Sequence, residues 1–180
     1  MQKILISIFL LMFNPKGIMK EGVRFANDKS VIITLDELES GKIPDSLWTS
    51  KQIIELKIQK TRPSKIWTSH PPLSWLENRE LEPPFWSMPE KIGNLRNLEI
   101  LILGNLDISE LPNSITNLKN LEVLDISINK LQISQELNKL EKLQKLKTLI
   151  ISGNRYAVHD VESLKEALSH TNIECSHELE

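Results

Sequence analysis

Three segments of the chain repeat one pattern at nearly constant spacing. Leu98-Glu-Ile-Leu101-Ile-Leu103, Leu121-Glu-Val-Leu124-Asp-Ile126 and Leu146-Lys-Thr-Leu149-Ile-Ile151 each place large aliphatics at the first, fourth and sixth positions. The last two add an asparagine at the ninth, Asn129 and Asn154. From Leu98 to Leu121 is 23 residues and from Leu121 to Leu146 is 25. A period in the twenties constrains the fold more than any composition does. One such unit cannot bury its own apolar side, so stability requires stacking neighbouring units into a continuous core. Alternation of aliphatics at the fourth and sixth positions reads as a strand whose third and fifth side chains face the other way. Parallel stacking then builds a ribbon at roughly 4.8 Å per repeat.

Proline punctuates the return path. Ile43-Pro44-Asp-Ser-Leu47, Met88-Pro89-Glu-Lys-Ile92 and Leu111-Pro112-Asn-Ser-Ile115 recur before the next strand. Proline is tolerated at the first turn of a helix because its missing N–H has no partner there. Each unit therefore reads as strand, turn, then a helical turn starting at the proline. The pattern L-x-x-L-x-L-x-x-N, with L-P-x-x-I-x-x-L-x-N-L before it, resembles the leucine-rich repeat of small bacterial-type proteins. That resemblance implies an α/β solenoid: a short curved horseshoe with a parallel sheet on the concave face and short helices or helical turns on the convex face. It further implies a ladder in which Asn129 and Asn154 bond the backbone of neighbouring turns, with Thr61 able to substitute and Leu38, Leu81 and Leu106 departing from it.

The repeat core is expected at Leu56, Leu98, Leu101, Leu103, Leu121, Leu124, Ile126, Leu146, Leu149 and Ile151. Upstream, Ser30–Leu35 is β-branched and reads as a strand. Its Ile33 and Leu35 stand 23 residues before Leu56 and Ile58, which makes it a first, degenerate repeat. A second strand covers Ile53–Ile58. A third is placed at Leu73, Leu76 and Leu81, although Asn78 occupies its sixth position. Residues 62–86 hold five of the nine prolines and three of the four tryptophans, so this stretch reads as two distorted repeats rather than a helix. In the last full unit the leucines from Leu137 to Leu146 recur every three residues, which predicts a longer helix over 134–146 with Ser134 as N-cap. Residues 30–158 thus make a solenoid of about six repeats. Residues 159–180 add a helix, a strand-like end at Ile173 and Cys175, and a polar tail, a segment that looks like the terminal cap of bacterial leucine-rich-repeat proteins.

The first 19 residues stand apart. Lys3 is followed by an apolar run from Ile4 to Phe13 broken only by Ser7, too short for a membrane span of roughly 20 residues. A positive start and a run of this length fit a signal peptide, without an A-x-A cleavage site. An apolar end-cap, or a true start at Met19, are the alternatives. Export to the periplasm or medium is therefore the favoured location and the cytoplasm the alternative. Residues 20–29 read as a linker or N-terminal cap.

Net charge is −2 with 26% charged residues of both signs, which lacks the basic face a nucleic-acid binder needs. The single cysteine, Cys175, excludes an internal disulfide, and no N-x-S/T sequon occurs. His70, His159, His170 and His177 sit in no catalytic motif, and His170, Cys175 and His177 match no zinc spacing. Glycines are scattered singly, so no phosphate-binding loop exists. No enzyme activity, cofactor or metal is expected, and a monomer without an integral membrane segment is. The lysines at 139, 142 and 145, interspersed with Glu136 and Glu141, read as a solvated convex face.

Functional candidates are the residues facing away from the core. In register, the third positions are Ile32, Glu55, Trp75, Ile100, Val123 and Thr148, and the fifth are Thr34, Lys57, Glu77, Ile102, Asp125 and Ile150. Lys57, Trp75, Glu77, Ile100, Ile102, Val123, Asp125 and Ile150 form the expected partner-binding set. Apolar residues rimmed by charge on an exposed face suggest a protein or peptide site. The alternatives are that β-branched residues simply suit parallel strands, or that the chain is a structural or degenerate repeat without a dedicated partner.

Overall fold

A computed structural model describes residues 22–38, 42–60 and 87–175. Seven strands lie in one sheet in chain order. They are β1 (Val23–Asn27), β2 (Ser30–Thr34), β3 (Glu55–Gln59), β4 (Ile100–Ile102), β5 (Val123–Asp125), β6 (Thr148–Ile150) and β7 (Asn172–Glu174). From β2 to β7 every pair is parallel, as connections that return along the far side require. Those return paths carry 3-10 turns at Leu47–Thr49, Glu90–Asn94 and Asn113–Asn117, then α1 (Ile133–Leu140) and α2 (Val158–Ala167). The architecture is an α/β leucine-rich-repeat solenoid.

The inward side chains stack in columns. Val31, Leu56, Leu101, Leu124 and Leu149 are register partners, and all are fully buried. A second column runs Ile33, Ile58, Leu103, Ile126 and Ile151. Leu98, Leu121 and Leu146 close the core at the strand entrances. The return paths close it from behind with Ile92, Leu95, Ile115, Leu118, Leu140 and Leu143, and α2 seals the C-terminal end with Val161 and Leu164. The convex turns pack closely. A Cβ on Gly93 would come within 2.6 Å of the Ser114 Cβ and 2.7 Å of the Ser114 carbonyl oxygen, so only glycine fits between the 3-10 turns of successive repeats.

Several expectations are corrected. Val31, not Ile33, pairs with Leu56, and Ile33 pairs with Ile58. The first repeat is thus 25 residues long and its outward side chains are Ser30 and Ile32, with Thr34 one step further on. Residues 20–29 were expected as a linker or N-terminal cap, and residues 23–27 are an ordered strand there. They form an antiparallel edge strand on β2, in a hairpin where the Asn27 Oδ1 accepts from the Lys29 and Ser30 amides at 2.8 and 2.9 Å. This strand is exposed along almost its whole length, so it carries no hydrophobic alternation to announce it.

The largest correction lies between β3 and β4. Glu55, Leu56 and Lys57 pair directly with Ile100, Leu101 and Ile102. No strand stands between β3 and β4, and the expected repeat at Leu73–Leu81, with Trp75 and Glu77, falls outside the described residues. Residues 61–86 lie outside the described residues, as do 1–21.

The helical segments differ in detail. Pro89 and Pro112 are extended and stand just before their 3-10 turns, their carbonyls accepting from the Ile92 and Ile115 amides. The helix after Asn129 begins at Ile133 with Gln132 as N-cap, and it stops at Leu140. Leu143 and Leu146 then follow on tight turns, their amides donating to Leu140 and Leu143 at 3.0 Å. A three-residue leucine spacing suits such i to i+3 turns as well as it suits an α-helix.

Candidate functional site

On the concave face the third and fifth side chains of β3 to β6 stand half-exposed beside buried neighbours. Strand pairing puts Ser30, Glu55, Ile100, Val123, Thr148 and Asn172 in one row across the sheet. The second row is Ile32, Lys57, Ile102, Asp125, Ile150 and Glu174. Of the expected partner-binding set, the structure brings Lys57, Ile100, Ile102, Val123, Asp125 and Ile150 onto this one face, while Trp75 and Glu77 lie outside the described residues. Ile100, Ile102 and Val123 are contiguous, and Ile150 stands beyond Asp125. Asn172 and Glu174 join the rows from β7 and were not expected there. The strand-like end expected at Ile173 and Cys175 is thus β7, whose two exposed residues flank the half-buried Ile173.

None of the charged residues on this face forms an ion pair among the described residues. Asp125 turns one carboxylate oxygen to the Ser127 amide at 2.9 Å, and Glu174 accepts from Asn172 at 3.2 Å. Several charges elsewhere are paired. Lys147 meets Glu122 at 2.7 Å, Lys91 meets Asp45 at 2.7 Å, and Asp107 lies between Lys60 and Lys130 at 3.3 and 3.8 Å. On the convex side Lys139 is packed rather than solvated. Its ammonium lies 3.0 Å from Glu136 and 3.3 Å from Glu110, and it donates to the Leu111 carbonyl at 2.5 Å. Glu136 is buried and accepts from the Leu111 amide at 3.3 Å. Burial pushes its carboxyl above the usual range, against the opposing pull of Lys139. Glu90 is held below that range by bonds from Ser114 and Asn113, which it ties to its own repeat.

The strand exits form the concave rim. Asn129 is buried, its Oδ1 accepting from Leu106 and Ile108 at 3.0 and 3.1 Å. Its Nδ2 donates to Leu103 and Ile126 at 2.9 and 2.8 Å, so one side chain sews its own turn to the preceding one. Asn154 does the same with Leu131, Ile126 and Ile151. A further ladder runs at the strand entrances, where Asn97 and Asn120 donate to the Lys51 and Arg96 carbonyls at 2.9 and 3.0 Å. The Asn-Leu pairs before β4 and β5, Asn97-Leu98 and Asn120-Leu121, are its sequence signal. One position before the ninth place of their repeats, held by Leu106, Asn129 and Asn154, Asn105, Ile128 and Gly153 all adopt left-handed backbone with φ of 60°, 52° and 74°. Asparagine and glycine suit that conformation, whereas a β-branched isoleucine is strained there. Ile128 is also 42% exposed.

Among the described residues no group of three His, Cys, Asp or Glu side chains is placed to hold a metal ion, and no helix is long and apolar enough to cross a membrane. His177 lies outside the described residues.

Residues 46–180 match the family described as a leucine-rich repeat region. Solved structures similar to this chain include a leucine-rich-repeat protein of Leptospira interrogans, 22% identical with a TM-score of 0.47 over 74% of this chain and 34% of that one. An internalin of Listeria monocytogenes is 21% identical with a TM-score of 0.41, covering 51% of this chain and 27% of the other. Internalin C2 of the same organism is 20% identical with a TM-score of 0.42, covering 72% and 56%. The chain thus spans less than two thirds of the length of each of these structures. No curated protein matches the chain.

Proposed function

This chain belongs to the leucine-rich-repeat family, and on that premise we propose that it is a non-catalytic scaffold recognising a protein or peptide on its concave face. The observation that carries the reading is the cluster of half-exposed aliphatics, Ile100, Ile102, Val123 and Ile150, on strands whose opposite face is the core. Binding energy in such surfaces concentrates in a desolvated apolar centre bordered by polar groups. Glu55, Lys57, Asp125 and Glu174 supply that border. With a partner in hand, the paired Ile102→Ser, Val123→Ser variant should bind at least about 2 kcal/mol more weakly, as loss of a hot spot does. Its thermal melt should stay near that of the native chain, because neither side chain faces the core. Lys142→Ala on the exposed convex side should change neither property. Normal binding by the concave variant together with failure of the convex one would move the site to the other face.

A further inference from the structure

The corrected strand register reveals an order in the second concave row. Across six adjacent strands it reads Ile32, Lys57, Ile102, Asp125, Ile150 and Glu174, apolar and charged in strict alternation. Neighbouring strands lie roughly 4.8 Å apart, so the isoleucines recur at about 9.6 Å along the solenoid axis. That spacing discriminates between chain conformations laid across the strands. A polyproline-type helix rises about 3.1 Å per residue with three residues per turn, so one ridge presents a side chain every 9.3 Å or so. Two turns of an α-helix span about 10.8 Å, and the misfit of roughly 1.2 Å grows with each further pair of strands. Curvature toward the ligand shortens the row and worsens that misfit. Same-face side chains of a β-strand fall every 6.6 Å or so and do not match at all.

Two further features agree. The next outward row is Gly104, Ser127 and Ser152, and a Cβ on Gly104 would sit 3.1 Å from the Ser127 Oγ and 3.8 Å from the Asp125 carboxylate. These side chains therefore share a face with the alternating row and are too small to block a chain lying beside it. The charges also point one way. Asp125 and Glu174 outnumber Lys57 in the row, Glu55 adds another carboxylate beside it, and none is neutralised by an ion pair among the described residues.

Resting on the concave-face reading above, we propose that the ligand is an extended, polyproline-type segment of a partner protein. It lies along the solenoid axis with an apolar side chain at every third residue against Ile102 and Ile150. Basic side chains between them meet Asp125 and Glu174.

The test uses the full chain and synthetic peptides of about twelve residues, long enough to cross the row. One repeats Leu-Pro-Arg. A second has the same composition with its leucines in a block, and a third replaces arginine by glutamate. Two proline-free peptides carry leucine and arginine in strand and in helix phase. Fluorescence anisotropy should show the phased arginine peptide binding at least about tenfold tighter than the block and glutamate versions. Ile102→Thr and Asp125→Asn should each weaken it about fivefold or more, with melts near native. The asparagine keeps an acceptor for the Ser127 amide and removes only the charge. Equal affinity for phased and block peptides, or no measurable binding by the phased one, overturns the proposal. Tighter binding of the strand- or helix-phased peptide, lost in Ile102→Thr, overturns it while leaving the concave reading intact. Peptide binding indifferent to both variants overturns the two together.

Discussion

The block from β4 to β7 and the arm from β1 to β3 share one sheet but are held by different means. In the block, Asn129 and Asn154 satisfy amides and carbonyls of two successive turns each, so the exits of β5 and β6 are each stitched to the one before. The arm has no such asparagine among its described residues. Its first strand is instead closed by the β1–β2 hairpin, and Gly22 accepts from the Thr34 amide at 2.7 Å. The contrast teaches where a repeat protein needs its motif. An interior repeat has neighbours on both sides and can specify its turn by buried side-chain amides. A terminal repeat presents a bare edge, and an antiparallel strand covers it with groups that need no repeat signature.

The strongest way to break this comparison is to cut a cavity in each region. Leu124 stacks between Leu101 and Leu149, all fully buried, so Leu124→Ala should cost about 2–5 kcal/mol. Ile33→Ala in the arm should fall at the low end of that range, because a site near the edge collapses more readily. Urea denaturation of both variants measures the difference. A loss below roughly 1 kcal/mol for Leu124→Ala would reject the observed stacking, since exposed positions rarely exceed about ±0.5. The second cut removes a stitch. Asn129→Ala leaves the buried amides of Leu106 and Ile108 without their acceptor, which should cost about 1–3 kcal/mol. Hydrogen exchange would show those two amides losing protection first, ahead of the arm.

The same contrast explains what was legible in the sequence. From Leu98 to Asn154 each strand carries its aliphatics at fixed places, and their columns, their outward neighbours and both laddering asparagines could be read directly. The arm could not be read in register, because Val31 and Ile33, like Ile33 and Leu35, offer an alternating pair and a 23-residue period favours the wrong one. The interval from Leu56 to Leu101 is 45 residues, close to two ordinary repeats, and Leu73, Leu76 and Leu81 supply a plausible intermediate. Hydrogen bonding across β3 and β4 is not encoded in any local pattern, so only the structure reveals that these strands are neighbours. The alternating concave row depended on both corrections. The ion pair of Lys139 with Glu110 was hidden for another reason: Glu110 lies on the preceding repeat and is brought near by stacking, whereas Glu136 is one helical turn away on the same helix.

A smaller effect sharpens the comparison through pH. Glu136 sits inside the block with its carboxyl raised above the ordinary value of 4.5 by burial. The folded state therefore binds this proton more readily than the unfolded one. Its stabilising contribution is full below pH 4.5 and is lost as pH rises through the folded-state pKa. Glu136→Gln keeps an acceptor for the Leu111 amide and removes the titration. Melting temperatures of the two proteins should thus diverge in favour of the native chain as pH falls from 7 toward 4.5. A difference that is constant across this window would mean that the carboxyl does not titrate differently in the folded state. Comparing the two proteins cancels the opposite contribution of Glu90, whose lowered pKa makes its stabilisation vanish as pH falls.

The smallest change tests a residue that weakens the block locally. Ile128 holds φ of 52° at the place where the neighbouring repeats use Asn105 and Gly153. Left-handed backbone costs a β-branched residue roughly 1–2 kcal/mol, and asparagine relieves much of it. Ile128→Asn should therefore raise stability by about 1 kcal/mol, because the exposed side chain surrenders little burial. Glycine at 153 already accommodates this turn, since a Cβ there would meet the Ile128 Cα at 3.1 Å, so Gly153→Ala should act in the opposite sense. Strain that survives at an exposed apolar residue beside the proposed recognition face calls for a functional account. Ile128 stands just past the small row of Ser127 and Ser152, where it can close the far side of a bound segment. The decisive pairing is thus a melt and a titration on one variant. Ile128→Asn should melt higher yet bind the phased peptide more weakly, whereas a higher melt with unchanged affinity would leave the strain outside the binding site.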